Sequence, residues 1–168
     1  MNEDKIEQNA LVILRQLGYQ VLFGPDIGPE GSGERETYHE VVLTQRLREA
    51  VQKLNQHIPE GAIDEAIGKV RRSTGTTLLL DNKDFHNLLS NGVEVEYRTE
   101  SGEIKSDLVR LFDFEQPLEN EFLAINQFTI IEGDINRRPD ILLFVNGLPL
   151  GVIELKNATD VKADLKAA

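Results

Sequence analysis

The chain has 168 residues, 40% of them apolar, which suits one domain (residues 1–168) with its own core, and a net charge of −11, which argues against a surface built chiefly to grip phosphate. It has no run of eighteen or more apolar residues, and the start MNEDKIEQNA is acidic where a signal peptide is basic and then apolar, so a soluble, cytoplasmic protein without membrane contact is expected. The lack of cysteine excludes disulfides, thiolate metal sites and a cysteine nucleophile, and three scattered histidines (His39, His57, His86) argue against an imidazole-ligated metal, so any metal would be held by oxygen.

In chain order, Ile6, Ala10, Ile13, Leu14 and Leu17 recur at helical spacing and Gly18 stands where a helix ends. Tyr19 to Phe23 reads as a short strand. GPDIGPEGSGERETY (24–38), with four glycines and two prolines, reads as a long loop, and a loop of that length is more often functional or disordered than neutral packing. It lacks the spacing and the lysine of a phosphate-binding loop. Leu43, Leu47, Val51, Leu54 and Ile58 predict a helix over 41–58, stopped by Pro59. Further helices are expected at about 61–72 and, capped by Asp81, at 81–89.

Strands follow. GVEVEYRT (92–99) alternates at period two and turns back through SGE into 107–114; FLAINQFTIIE (122–132) and two apolar runs within RRPDILLFVNGLPLGVIELKN (137–157) complete an expected sheet of five or six strands. GDIN (133–136) reads as a turn, with Glu132 and Asp134 as possible outer-shell acids. From about Thr159 a helix begins and the sequence ends within it, as in a piece of a longer protein.

The runs 141–145 and 150–155 are apolar on both faces, as inner strands are, and Asn146-Gly147 predicts a hairpin between them. Hairpin partners then sum to about 294, so Asp140 stands opposite Glu154, and Glu154 shares a side with Lys156. A strict two-residue turn would place Asp140 opposite Ile153, so a bulge or a longer loop is required. Two facing carboxylates repel unless a divalent cation joins them. Mg²⁺ suits the pair because it takes one or two carboxylates and completes its shell with water and substrate phosphate; the Leu155 carbonyl is a further candidate ligand. Lys156 would orient or deprotonate the attacking water, or stabilise charge at phosphorus. A bare E-x-K is ordinarily a solvated salt bridge. The preceding Pro139-Asp140 makes the arrangement far more specific.

Pro139-Asp140 with Glu154-Leu155-Lys156 resembles the PD-(D/E)xK signature of the restriction-endonuclease-like nucleases. LGYQVLFGPDI (17–27), VVLTQRLREAVQKLN (41–55), GVEVEYR (92–98) and NQFTIIEGDINRRPDILLFVNGLPLGVIELKN (126–157) are similar to the N-terminal domain of the R subunit of type I restriction-modification enzymes. The resemblance implies an α/β fold with a restriction-endonuclease-like core: a central mixed sheet flanked by helices, with a helical segment inserted between the first strand and the main sheet. It also implies a Mg²⁺-dependent DNA endonuclease at the front of an ATP-driven translocase, whose motor domains, and with them ATP binding, lie beyond these residues. The partners it implies are double-stranded DNA and the specificity and methyltransferase subunits, with cutting that reads no bases.

Carried over, Asp140 and Glu154 match the metal-binding acids and Lys156 the motif lysine, while Glu7, on one helix face with Leu11 and Leu14, is the candidate for an acid on the first helix, with Glu3 one turn earlier competing for the role and a solvated helix surface as the plainer reading. The family's Q-x-x-x-Y on the following helix would fall beyond Ala168, so weak cutting by the chain alone is expected. A local basic lip of Arg137, Arg138 and Lys162 beside Lys156 would meet DNA, with Arg71, Arg72 and Lys166 as further basic candidates. The rival reading is a catalytically silent, nuclease-like docking module for the motor or partner subunits.

Overall fold

The computed structural model describes residues 3–72 and 78–156. The elements are α1 (Glu3–Gln16), β1 (Gln20–Phe23), α2 (Gly24–Ile27), α3 (Thr44–Leu54), α4 (Glu60–Val70), α5 (Leu78–Asn91), β2 (Val93–Arg98), β3 (Ile104–Val109), β4 (Phe122–Asn126), β5 (Ile130–Glu132), β6 (Ile135–Arg137), β7 (Ile141–Val145) and β8 (Leu148–Ile153). They divide into two compact units: residues 1–43 with 121–168, and residues 44–120. The helix expected from Thr159, Lys162 and Lys166 lie outside the described residues.

The first unit is built on a four-stranded mixed sheet of order β1-β4-β7-β8, with β1 parallel to β4 and the other pairs antiparallel. Leu11 and Leu14 of α1 pack with Ala124 and Ile141 on one face, and Ala10, Val21, Leu143, Ile153 and Leu155 close around them. Leu123, Ile125, Leu142 and Phe144 line the other face beneath Ile27, Leu43 and Phe128. Each fully buried aliphatic side chain here stabilises the fold by about 1.5–3 kcal/mol. Residue 7 falls on the inward stripe of α1 with Ala10, Leu11 and Leu14, whereas Ile13 and Leu17, expected inside, are exposed. The helix ends in a Schellman-type pair of bonds, Tyr19 N–H to Leu14 C=O and Gly18 N–H to Arg15 C=O.

Four expectations are corrected. The five- or six-stranded sheet is a four-stranded sheet and two separate hairpins, β2–β3 and β5–β6. The run 122–132 breaks because Gln127 takes φ 56, which ends β4 and redirects the chain into β5. β8 is an edge of the sheet among the described residues, and Leu150 and Val152 are exposed; their apolar character does not mark an inner strand. The segment 24–38 is not structureless: α2 opens it, backbone bonds close its turns over 25–33, and Arg35, 1% exposed, donates to the carbonyls of Tyr38, Glu40 and Thr129.

In the second unit α3 packs on α4 and α4 on the β2–β3 hairpin, whose Val93, Val95 and Val109 are buried. Buried Asn55 closes α3 by exchanging bonds with Arg110, its Oδ1 accepting the Arg110 N–H and its Nδ2 donating to the Arg110 carbonyl. The helix expected over 41–58 is trimmed to Thr44–Leu54, and the one expected to start at Asp81 begins at Leu78, leaving Asp81 in its first turn.

The β7–β8 turn carries a stability prediction. Asn146, 1% exposed with φ 50, donates its N–H to the Glu121 carbonyl, and its Oδ1 accepts the Glu121 N–H. Asn146→Ala places a side chain poorly suited to the left-handed region there and removes a buried acceptor, a combined loss of about 2–3 kcal/mol. Asn146→Gly keeps the turn and loses the side-chain bond, so its urea midpoint should lie between wild type and Asn146→Ala.

Candidate functional site

The site follows from the register of one hairpin. Ile141 pairs with Ile153, Leu142 with Val152 and Leu143 with Gly151; the register then shifts, and Phe144 pairs with Pro149 and Val145 with Leu148. The turn itself is the two residues Asn146 and Gly147, both at positive φ as a type I′ hairpin turn requires, and Leu150 is the extra residue of a bulge. The bulge restores the sum of 294 at the far end, and Asp140 and Glu154 follow one step beyond the Ile141–Ile153 pair. Of the two solutions required of the sequence, the chain uses the bulge and keeps the tight turn.

The geometry beyond that pair is fixed by a side chain. Asp140 Oδ2 accepts the backbone N–H of Leu155 at 2.7 Å, which draws its carboxylate to the peptide between Glu154 and Lys156. Ile153 and Leu155 pack inward, while Glu154 and Lys156 are exposed. Among the described residues ion pairs form elsewhere, as in Arg48–Asp64 and Lys53–Glu119, and none joins Glu154 to Lys156. Both side chains are thus solvated without pairing to each other.

Glu7 reaches this end of the sheet from α1. Its Oε1 accepts Asn126 Nδ2 at 2.7 Å and its Oε2 accepts Gln127 Nε2 at 2.8 Å. A carboxylate has no proton to offer, so both amides must present their NH₂ groups to it. Gln127 also donates its backbone N–H to the Asp140 carbonyl at 3.2 Å. Glu7, Gln127, Asp140 and Leu155 thus form one connected chain of hydrogen bonds. Asn126 and Gln127 were missed by sequence reasoning; the signal was there as two amides closing the apolar run FLAI, where a polar pair needs partners.

Arg137 ends β6 and Arg138 follows it, both exposed, just before buried Pro139. Glu132 and Asp134 are exposed on the same hairpin, whose turn is Gly133-Asp134 as expected of GDIN. His39, His57 and His86 are exposed, and His39 Nδ1 lies 2.7 Å from the Ile131 carbonyl. Among the described residues no three His, Cys, Asp or Glu side chains gather into a metal-binding group. An ion here would rest on two carboxylates, a backbone carbonyl and water. That oxygen-only set fits Mg²⁺, which keeps much of its water shell.

A mixed sheet with helical cover, an inserted helical segment and the acidic hairpin end define an α/β domain with a restriction-endonuclease-like core. Residues 1–168 match the family described as the type I restriction enzyme R protein N terminus, and the chain belongs to that family. It is 44% identical to the type I restriction enzyme HindI endonuclease subunit of Haemophilus influenzae over 170 residues, covering 100% of this chain and 16% of that protein. It is 35% identical, over 94% of this chain and 15% of the relative, to a Methanocaldococcus jannaschii protein assigned to the MjaIXP type I restriction enzyme as its endonuclease subunit. The chain therefore spans about a sixth of the length of these relatives. Among the described residues no helix is long and apolar enough to cross a membrane.

Proposed function

We propose that the chain is the DNA-cutting domain of a type I restriction enzyme R subunit, hydrolysing phosphodiester bonds with Mg²⁺ and reading no sequence itself. The observation that carries the reading is the bulged register with the Asp140–Leu155 bond, which supports a shared place for Asp140 and Glu154 at one end of the sheet. Asp140, Glu154 and the Leu155 carbonyl would hold the ion, and Glu7 adds a carboxylate at one remove through Gln127. Bound there, Mg²⁺ would supply positive charge against the scissile phosphate and acidify water.

The chain's own residues do the rest. The Leu155 N–H occupies one oxygen of Asp140, and the other would be available to an ion. Lys156, on the same side of the strand as Glu154, holds the attacking water or steadies charge at the phosphate. Arg137 and Arg138 supply a local basic edge to an otherwise acidic surface, and Lys162 is assigned the same role by sequence alone. Gripping the duplex falls to motor domains beyond these residues, which consume ATP, and to the specificity and methyltransferase subunits, all acting in the cytoplasm.

The test uses the full-length subunit assembled with its partners, ATP and Mg²⁺. Asp140→Asn is expected to abolish cutting while ATP turnover continues. Undiminished cutting by Asp140→Asn would place the chemistry elsewhere and favour the docking-module reading.

A further inference from the structure

Gln127 stands just past β4 at φ 56, in the left-handed region where a residue with a side chain loses about 1–2 kcal/mol. Such a conformation persists only where its surroundings enforce it, and they do so here from three sides. Its backbone is seated against Gly24, where an added Cβ would lie 2.5 Å from the Gln127 carbonyl oxygen and 2.9 Å from the Phe128 Cα, so only glycine allows the approach. Its N–H donates to the Asp140 carbonyl, and its side-chain amide donates to Glu7 Oε2. A glycine would take the backbone conformation without strain, yet the position holds glutamine.

We infer that Gln127 is a positioning residue of the candidate metal site, its backbone fixing Asp140 and its amide fixing Glu7 at a set separation from it. The inference rests on the metal-site reading proposed above and assigns to that site a residue outside its acidic motif. The amide-to-carboxylate bond directs Glu7 and leaves each of its oxygens a second acceptor site. Asn126 holds the other oxygen of Glu7, so the carboxylate is clamped from two consecutive residues and cannot rotate freely. Hydrogen-bonded groups just outside a metal's ligands typically alter metal affinity by roughly 10–100-fold when removed.

A residue that merely fastens α1 to the sheet would change stability and leave metal binding alone, and this separates the two roles. Mn²⁺ binding is measured by calorimetry on the full chain for wild type, Gln127→Gly, Gln127→Met and Glu154→Gln, with the thermal midpoint of each. Gln127→Gly suits the backbone angle and removes only the amide, and Gln127→Met fills the space without donating. Both are expected to stay folded and to bind Mn²⁺ roughly 10–100-fold more weakly, and Glu154→Gln to bind none. Wild-type affinity in both Gln127 variants, with binding lost in Glu154→Gln, overturns the positioning role and leaves the metal site standing. Wild type failing to bind, or binding as well after Glu154→Gln, sinks the metal-site reading and the inference with it. Unfolding of Gln127→Gly would show a structural residue and overturn the inference alone.

Discussion

Glu154→Ala is expected to lower DNA cleavage by the assembled enzyme roughly 10³-fold, with ATP turnover unchanged, and Lys156→Ala to lower it about 10²-fold with Mn²⁺ affinity retained. The two residues share a side of one strand end, yet the proposal gives them different work. Glu154 would hold an ion whose charge contributes several kcal/mol to the transition state, so its loss removes metal and activity together. Lys156 would act on water or phosphate after the ion is in place. Its removal should reduce the rate at saturating metal and leave the metal concentration for half-maximal cutting where it was. Lys156→Arg separates its two possible tasks. Guanidinium keeps the positive charge but does not release a proton near neutral pH, so partial recovery means charge stabilisation and none means proton transfer. Equal metal affinity in wild type and Glu154→Ala would remove Glu154 from the ligand set.

Local patterns carried the site's register, and this is why it was legible. The parity of Asp140 and Glu154 follows from the Asn146-Gly147 turn and the two-residue period of strands, and it held because the bulge at Leu150 supplied the one-residue correction the carboxylates demanded. Glu7 was legible for a similar reason: three and four residues before Ala10 and Leu11, it lies on the stripe that α1 buries. What stayed hidden depends on contacts far apart in sequence. Leu150 and Val152 are as apolar as the buried residues of β7, and nothing local says that β8 has a neighbour on one side only among the described residues. Gln127 joins residues 7, 24 and 140, and no window of the sequence contains that junction. The segment 24–38 shows why glycine content misleads. Its turns are real and close on their own backbone bonds, while a buried arginine eleven residues past Gly24 ties the end of the segment to Thr129.

That arginine supports the largest stability effect expected in the first unit. Arg35 is 1% exposed, and its guanidinium lies 3.7 Å from the centre of the Phe128 ring. Its Nε donates to the Glu40 carbonyl at 2.7 Å, and Nη2 donates to the carbonyls of Thr129 at 3.0 Å and Tyr38 at 3.2 Å. Burial lowers its pKa from the usual value, with the Glu40 carboxylate acting in the opposite direction. A guanidinium keeps its proton in proteins, so its hold on three carbonyls is charge-assisted. Arg35→Met keeps much of the volume and leaves those acceptors without their donor, at about 1–3 kcal/mol for each one that stays buried. A total loss on the order of 3 kcal/mol or more is expected, read as a fall in the urea midpoint with the slope unchanged. Arg35→Lys should recover less than half of it, because a single ammonium can neither fork between carbonyls nor stack flat on Phe128. Since Thr129 is two residues from Gln127, the damage should reach the carboxylates as well: Arg35→Met, measured well below its unfolding temperature, is expected to bind Mn²⁺ more weakly than wild type. A variant with the wild-type midpoint would mean that the 24–40 segment is held by its turns, and that the buried charge is only a passenger within it.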